Sequence, residues 1–134
     1  MGAPAGRASE RVVLVVDDEE MLGHYMVRVL AGAGVRALMA HSGAEALAVL
    51  GSLDTVVWLV ISDIEMPGMT GVELAAAIEA QWPEVRVLLV SGQGRPPSGY
   101  DNRFLRKPFM PSDLIAAVRC CLPPVQHPGR SVET

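Results

Sequence analysis

At 134 residues, with 50% apolar and 19% charged side chains, the chain can bury one core and is too apolar to be a disordered segment. Its 15 acidic and 11 basic residues give a net charge of -4, which supplies no cationic footprint for nucleic acid, so DNA binding by this chain is not expected. The longest apolar run, residues 56–61, falls far short of the roughly 20 residues that a membrane helix needs.

Residues 1–10 lack the hydrophobic core of a secretory signal. Residues 11–16 read as a first strand, and four acids follow: Asp17, Asp18, Glu19 and Glu20. A helix is predicted over residues 20–33, with Leu22, Met26, Val29 and Leu30 on one apolar stripe and Gly34 as its stop. Residues 35–40 form a second strand. Ser42 and Glu45 then read as a capping box that opens a helix through Ala46, Leu47 and Leu50.

Residues 56–62 are the third and most apolar strand, and Asp63 stands where it ends. Thr70 and Glu73 make a second capping box, starting a helix with Leu74, Ala75, Ile78 and Trp82 inward, which Pro83 stops. Residues 85–90 are a fourth strand, ending at Ser91. The next stretch holds Gly92, Gly94, Pro96, Pro97 and Gly99, a composition that opposes a helix, so the fourth crossover helix is expected to be missing or reduced to a turn. Residues 102–106 make a short fifth strand and 112–122 the last helix, with Leu114, Ile115 and Val118 inward.

Strands and helices thus alternate, the pattern of an α/β parallel sheet with crossover helices. One domain is expected over residues 10–122, with mobile Gly/Pro/Ser-rich tails at 1–9 and 123–134. Parallel strands buried on both faces deliver their terminal residues to the carboxyl rim of the sheet, where open α/β sheets keep their chemistry. Four strands deliver a distinctive group there: Asp17 and Asp18, then Asp63, then Ser91, then Lys107.

Three crowded carboxylates repel one another unless a cation intervenes, and a hard ion such as Mg2+ suits oxygen ligands. Ser91 could donate to a phosphoryl oxygen, and Lys107 could neutralise another. Asp63 would then be the nucleophile, since a carboxylate can form an acyl phosphate.

In this order the groups resemble the receiver domain of two-component response regulators: Asp17-Asp18-Glu19, then Asp63 to Gly71, then Ser91-Gly92, then Phe104 through Lys107-Pro108-Phe109. The resemblance spans about residues 11–122. It implies the flavodoxin-like doubly wound five-stranded sheet of order 2-1-3-4-5. It further implies that Asp63 accepts a phosphoryl group from a phosphohistidine on a histidine kinase or histidine phosphotransfer protein. Asp17, Asp18, Asp63 and the backbone carbonyl of Glu65 would hold Mg2+, Ser91 and Lys107 would move toward the phosphoryl group, and Phe104 would repack as the state switches. The Lys107-Pro108 bond is implied to be cis.

Two departures stand out. The interval from Ser91 to Lys107 is shorter than the family's, as if the fourth helix were deleted, a pattern similar to receivers of hybrid histidine kinases. In many relatives that helix contributes to the dimerising face, so a monomer is expected here. The switch aromatic is Phe104, which lacks a tyrosine's hydroxyl.

The leading reading is a cytoplasmic signalling switch that catalyses only its own phosphorylation and dephosphorylation. A degenerate receiver acting as a phosphorylation-independent binding module is the alternative, and the intact acidic set argues against it. A Mg2+-dependent phosphohydrolase would carry an acid two residues after its nucleophile; Glu65 holds that place but is followed by Met66 and Pro67. A dinucleotide binder would need glycines, not acids, after the first strand.

Other residues read as structural. Glu19 and Glu20 suit a helix N-terminus. His24, His41 and His127 are assigned to surface or packing, Trp58 and Trp82 to core or half-buried packing, and Cys120 and Cys121 to buried or half-buried thiols of a reducing compartment.

Overall fold

The computed structural model describes residues 11–52 and 56–122, so the expected tails and His127 lie outside the described residues. Five parallel strands, β1 Arg11–Val16, β2 Ala37–Ala40, β3 Val56–Asp63, β4 Arg86–Ser91 and β5 Phe104–Arg106, form one sheet in the order β2-β1-β3-β4-β5. Four helices accompany them: α1 Glu20–Gly32, α2 Gly43–Leu50, α3 Gly71–Gln81 and α4 Pro111–Cys120. This is the doubly wound flavodoxin-like architecture that the sequence implies.

Side chains alternate across each strand, so the sheet feeds two cores. Val13, Val15, Leu59, Ile61, Leu88 and Val90 face one layer, where Met26 and Leu30 of α1 meet Leu114 and Val118 of α4. Val12, Leu14, Val16, Val60, Val87 and Leu89 face the other, against Ala46 and Leu50 of α2 and Leu74, Ala75 and Ile78 of α3. The alternation slips once. Val12 pairs with Val57 but Val13 with Leu59, which leaves Trp58 as the extra residue of a bulge, half-buried at the sheet's lower end.

Between β4 and β5 the described chain forms no helix. Gly94 and Gly99 take positive φ angles of 77° and 88°, a region that L side chains rarely adopt. The face that a crossover helix would cover is filled instead by Tyr100, 7% exposed and packed in the same core as Val87, Leu89 and Ile78.

Several element ends differ from expectation for identifiable reasons. Val35 does not join β2, because its N–H donates to the carbonyl of Leu30 at 2.8 Å and closes α1. Val85 precedes β4 because its N–H turns back to Trp82, and Arg103 precedes β5 because its N–H bonds Tyr100 in a turn. Thr70 and Glu73 form the full capping box. At α2 the box is incomplete: Ser42 Oγ accepts the Glu45 N–H at 3.1 Å, but the Glu45 carboxylate takes the N–H of His41 at 2.7 Å.

Candidate functional site

Register places the candidate residues on one level. Val16 pairs with Ser62 and Asp63 with Val90, so Asp17, Asp63 and Ser91 leave three neighbouring strands at the same rim. The N–H of Lys107 donates to the carbonyl of Ser91 at 2.9 Å, which fixes the lysine beside β4. The Lys107-Pro108 bond is cis, as the resemblance implies.

The following helix is drawn close by a glycine. Gly71, the first residue of α3, donates its N–H to the Ile64 carbonyl at 2.9 Å. A Cβ there would stand 2.3 Å from the Asp63 carbonyl oxygen and 2.8 Å from Ile64 Cα. Only glycine lets α3 approach the turn that carries Asp63.

Asp17 is fully buried and Asp63 is 5% exposed, whereas Asp18 is exposed. One carboxylate oxygen from each of the three lies within 4.8 Å of the others. Burial pushes Asp17 up to about 6, opposed by the Glu19 N–H on its Oδ1 at 2.8 Å and assisted by the charge of Asp63. Burial also raises Asp63, although Lys107 Nζ donates to its Oδ2 at 3.1 Å and pulls the other way. Among the described residues, Asp17 Oδ2 and Asp63 Oδ1 are buried with no hydrogen-bond partner. Orphaned buried carboxylate oxygens are costly unless something binds them. Two such atoms in a three-aspartate cluster fit a hard divalent cation held through oxygen.

An open depression lined by Asp18, Glu19, Asp63, Glu65, Gly92, Gln93 and Lys107 gives access to this cluster. Ser91 reaches the cluster's edge, but its hydroxyl is already engaged by Glu65 Oε2 and the Gln93 carbonyl, each at 2.7 Å. Phe104 does not line the depression; it is half-buried against the core that holds Val87 and Leu89. A larger cleft of about 720 Å³ at the opposite end of the strands, bordered by Arg11, Trp58, Glu79 and Arg86, gathers no comparable cluster among the described residues.

Sequence reasoning missed two features. The Glu65–Ser91 bond joins residues 26 apart and leaves no local signal. The close approach at Gly71 did have one: glycine at the first position of a helix, where it contributes nothing to propensity. The Glu65 side chain is exposed and bonded to Ser91. One expectation is corrected. Cys120 is exposed rather than buried or half-buried, because it falls on the outer face of the last turn of α4, while Cys121 is buried. His24 and His41 are at the surface, the latter 3.3 Å from Glu45 Oε1, and both tryptophans are half-buried.

The fold and the acidic rim define a phosphoacceptor-type signalling module. Residues 13–119 match the model of the response regulator receiver domain, and the chain belongs to that family. Receiver domains act as signalling switches, bind Mg2+ at an acidic pocket and interact with histidine kinases or phosphotransfer proteins.

The chain is 31% identical over 131 residues to the transcriptional regulatory protein FixJ of Azorhizobium caulinodans, covering 90% of this chain and 56% of that protein. It is 33% identical over 113 residues to the sensor kinase CckA of Brucella abortus, covering 80% of this chain and 12% of the kinase. The chain therefore spans about half or less of these relatives. Chemotaxis protein CheY4 of Vibrio cholerae superimposes with a TM-score of 0.74 at 28% identity, over 85% of this chain and 100% of that one. A receiver domain from Clostridium thermocellum gives 0.75 at 25% identity, over 84% and 94%. Among the described residues no helix is long and apolar enough to cross a membrane.

Proposed function

We propose that this receiver is an active phosphoacceptor in which Asp63 takes a phosphoryl group from a phosphohistidine of a histidine kinase or histidine phosphotransfer protein. The observation that supports this most is Asp63 itself. It is a nearly buried carboxylate with one oxygen on Lys107 Nζ and the other unpartnered, beside two further aspartates.

In the transfer a carboxylate oxygen of Asp63 attacks phosphorus as the P–N bond of the donor breaks; the P–N electron pair goes to the ring nitrogen, and the imidazole leaves neutral because the donor's other ring nitrogen already carries a proton. Asp17, Asp18, Asp63 and the Glu65 carbonyl would hold Mg2+, which would supply charge neutralisation for the phosphoryl oxygens. Lys107 exchanges its bond to Asp63 for one to a phosphoryl oxygen, and the Ser91 hydroxyl donates to another. Phe104 repacks as β4 and β5 adjust.

Met21 and Met110, 86% and 65% exposed, flank this rim at the starts of α1 and α4 and offer apolar contact to a docking donor. The self-phosphorylating switch has no external product. With no helix between β4 and β5, we read it as a monomer, and as a cytoplasmic module that does not bind nucleic acid on its own.

Intact mass after incubation with acetyl phosphate and Mg2+ tests the reading, comparing the native chain with Asp63→Asn. One Mg2+-dependent, alkali-labile phosphoryl group, absent from the variant, is the expected result. Absence of both this adduct and of beryllofluoride binding in the native chain would sink it. A phosphorylation-dependent dimer in sedimentation would overturn the monomer.

A further inference from the structure

The Ser91 hydroxyl has no proton to spare. Ser91 is fully buried, and its Oγ accepts the N–H of Gln93 at 3.1 Å. Its single proton faces two acceptors at 2.7 Å, Glu65 Oε2 and the Gln93 carbonyl. The ionised carboxylate is the stronger acceptor. Glu65 and Gln93 stand two residues beyond Asp63 and Ser91 respectively, and both line the depression that opens onto Asp63 and Lys107.

We propose that Glu65 is a latch: its carboxylate holds the Ser91 hydroxyl in the unphosphorylated state and must release it before Ser91 can donate to a phosphoryl group on Asp63. This rests on Asp63 being the phosphoacceptor. One proton cannot serve both acceptors at full strength. A phosphoryl group also brings negative charge beside the Glu65 carboxylate, and like charges at that distance repel. Glu65 is exposed, so it can swing into water without losing hydration, whereas buried Ser91 cannot follow it. The bond therefore favours the resting arrangement and weakens every ligand that needs the Ser91 proton.

A double-mutant cycle with Glu65→Ala and Ser91→Ala, titrated with beryllofluoride in excess Mg2+ by 1H–15N spectra, tests the latch. Glu65→Ala is expected to bind the phosphoryl mimic about tenfold more tightly, the scale of one charged hydrogen bond. Glu65→Gln, which keeps a weaker acceptor, should show a smaller gain. In the Ser91→Ala background, removing Glu65 should bring little further change. An equal gain in both backgrounds would reduce Glu65 to plain charge repulsion and overturn the latch. No gain from Glu65→Ala in the chain that keeps its native Ser91 would overturn it as well. If the native chain and all variants neither bind beryllofluoride nor form the Asp63 adduct, the phosphoacceptor reading itself fails and the latch falls with it.

Discussion

Tyr100 donates its hydroxyl to Glu79 Oε2 at 3.0 Å, tying the helix-less segment after β4 to the outer face of α3. The guanidinium of Arg103 lies 4.3 Å from the centre of the same ring. One aromatic side chain, clamped between a carboxylate and a cation, thus closes the core that a fourth crossover helix would otherwise cover. Tyr100→Ala should cost about 3–4 kcal/mol, the range for a buried aromatic. Tyr100→Phe keeps the packing and loses a partly exposed hydrogen bond, about 1 kcal/mol. Urea denaturation of the two variants measures both, and equal losses would contradict this division.

Gly71 and Gly23 make a matched pair. An added Cβ at either would come within 2.3 Å of another atom, but at Gly71 that atom is the Asp63 carbonyl oxygen and at Gly23 it is Met39 Cε. A methionine end can rotate away, while the main chain around Asp63 cannot without moving the acceptor. Gly71→Ala should destabilise by about 2–3 kcal/mol or more and slow formation of the Asp63 adduct. Gly23→Ala should cost less and leave adduct formation near native. Denaturation together with adduct mass checks both variants.

Most of the sheet and the identity of the rim residues were legible in the sequence, because both signals are local. A run such as residues 56–61 has no polar face, so it reads as buried on both sides, which holds from Leu59 onward, and a polar residue at its end marks the rim. The absence of helix after Ser91 followed equally from Gly92, Gly94, Pro96, Pro97 and Gly99. What fills the gap was not legible: Tyr100 meets Glu79 at 21 residues' separation, and no periodicity links them. The same holds for Glu65 and Ser91. Strand ends were missed where a main-chain N–H had a second choice of partner, as at Val35, which serves α1 rather than the sheet.

The adjacent cysteines should behave oppositely. Cys120 is exposed, whereas Cys121 is 2% exposed and its thiol is raised by burial. The thiolate is the reactive form, so Cys121 is doubly protected. Iodoacetamide at neutral pH should label one site in the native protein and both in urea, and peptide mass mapping should place the native label on Cys120. Equal labelling of both in the folded chain would contradict the burial.

Stability should depend on pH in the sense opposite to that of ordinary paired carboxylates. Burial raises Asp17 to about 6 and raises Asp63 as well, so both bind protons more tightly folded than unfolded. Between the ordinary carboxylate range and about pH 6 the native state therefore holds more protons, and stability falls as pH rises through that window. The Asp17 share amounts to about 3 kcal/mol at neutral pH. A divalent cation competes with those protons, so stabilisation by Mg2+ should be weak near pH 4.5 and grow to a plateau above about pH 6.5. Asp17→Asn keeps an acceptor for the Glu19 N–H and removes the buried charge. It should raise metal-free stability at pH 7 by about 1–3 kcal/mol, flatten the pH profile and abolish most of the Mg2+ response. Denaturation midpoints from pH 4.5 to 8, with and without Mg2+, read all three effects. A native profile that rises through this window without metal would show that the buried aspartates are not held at a cost.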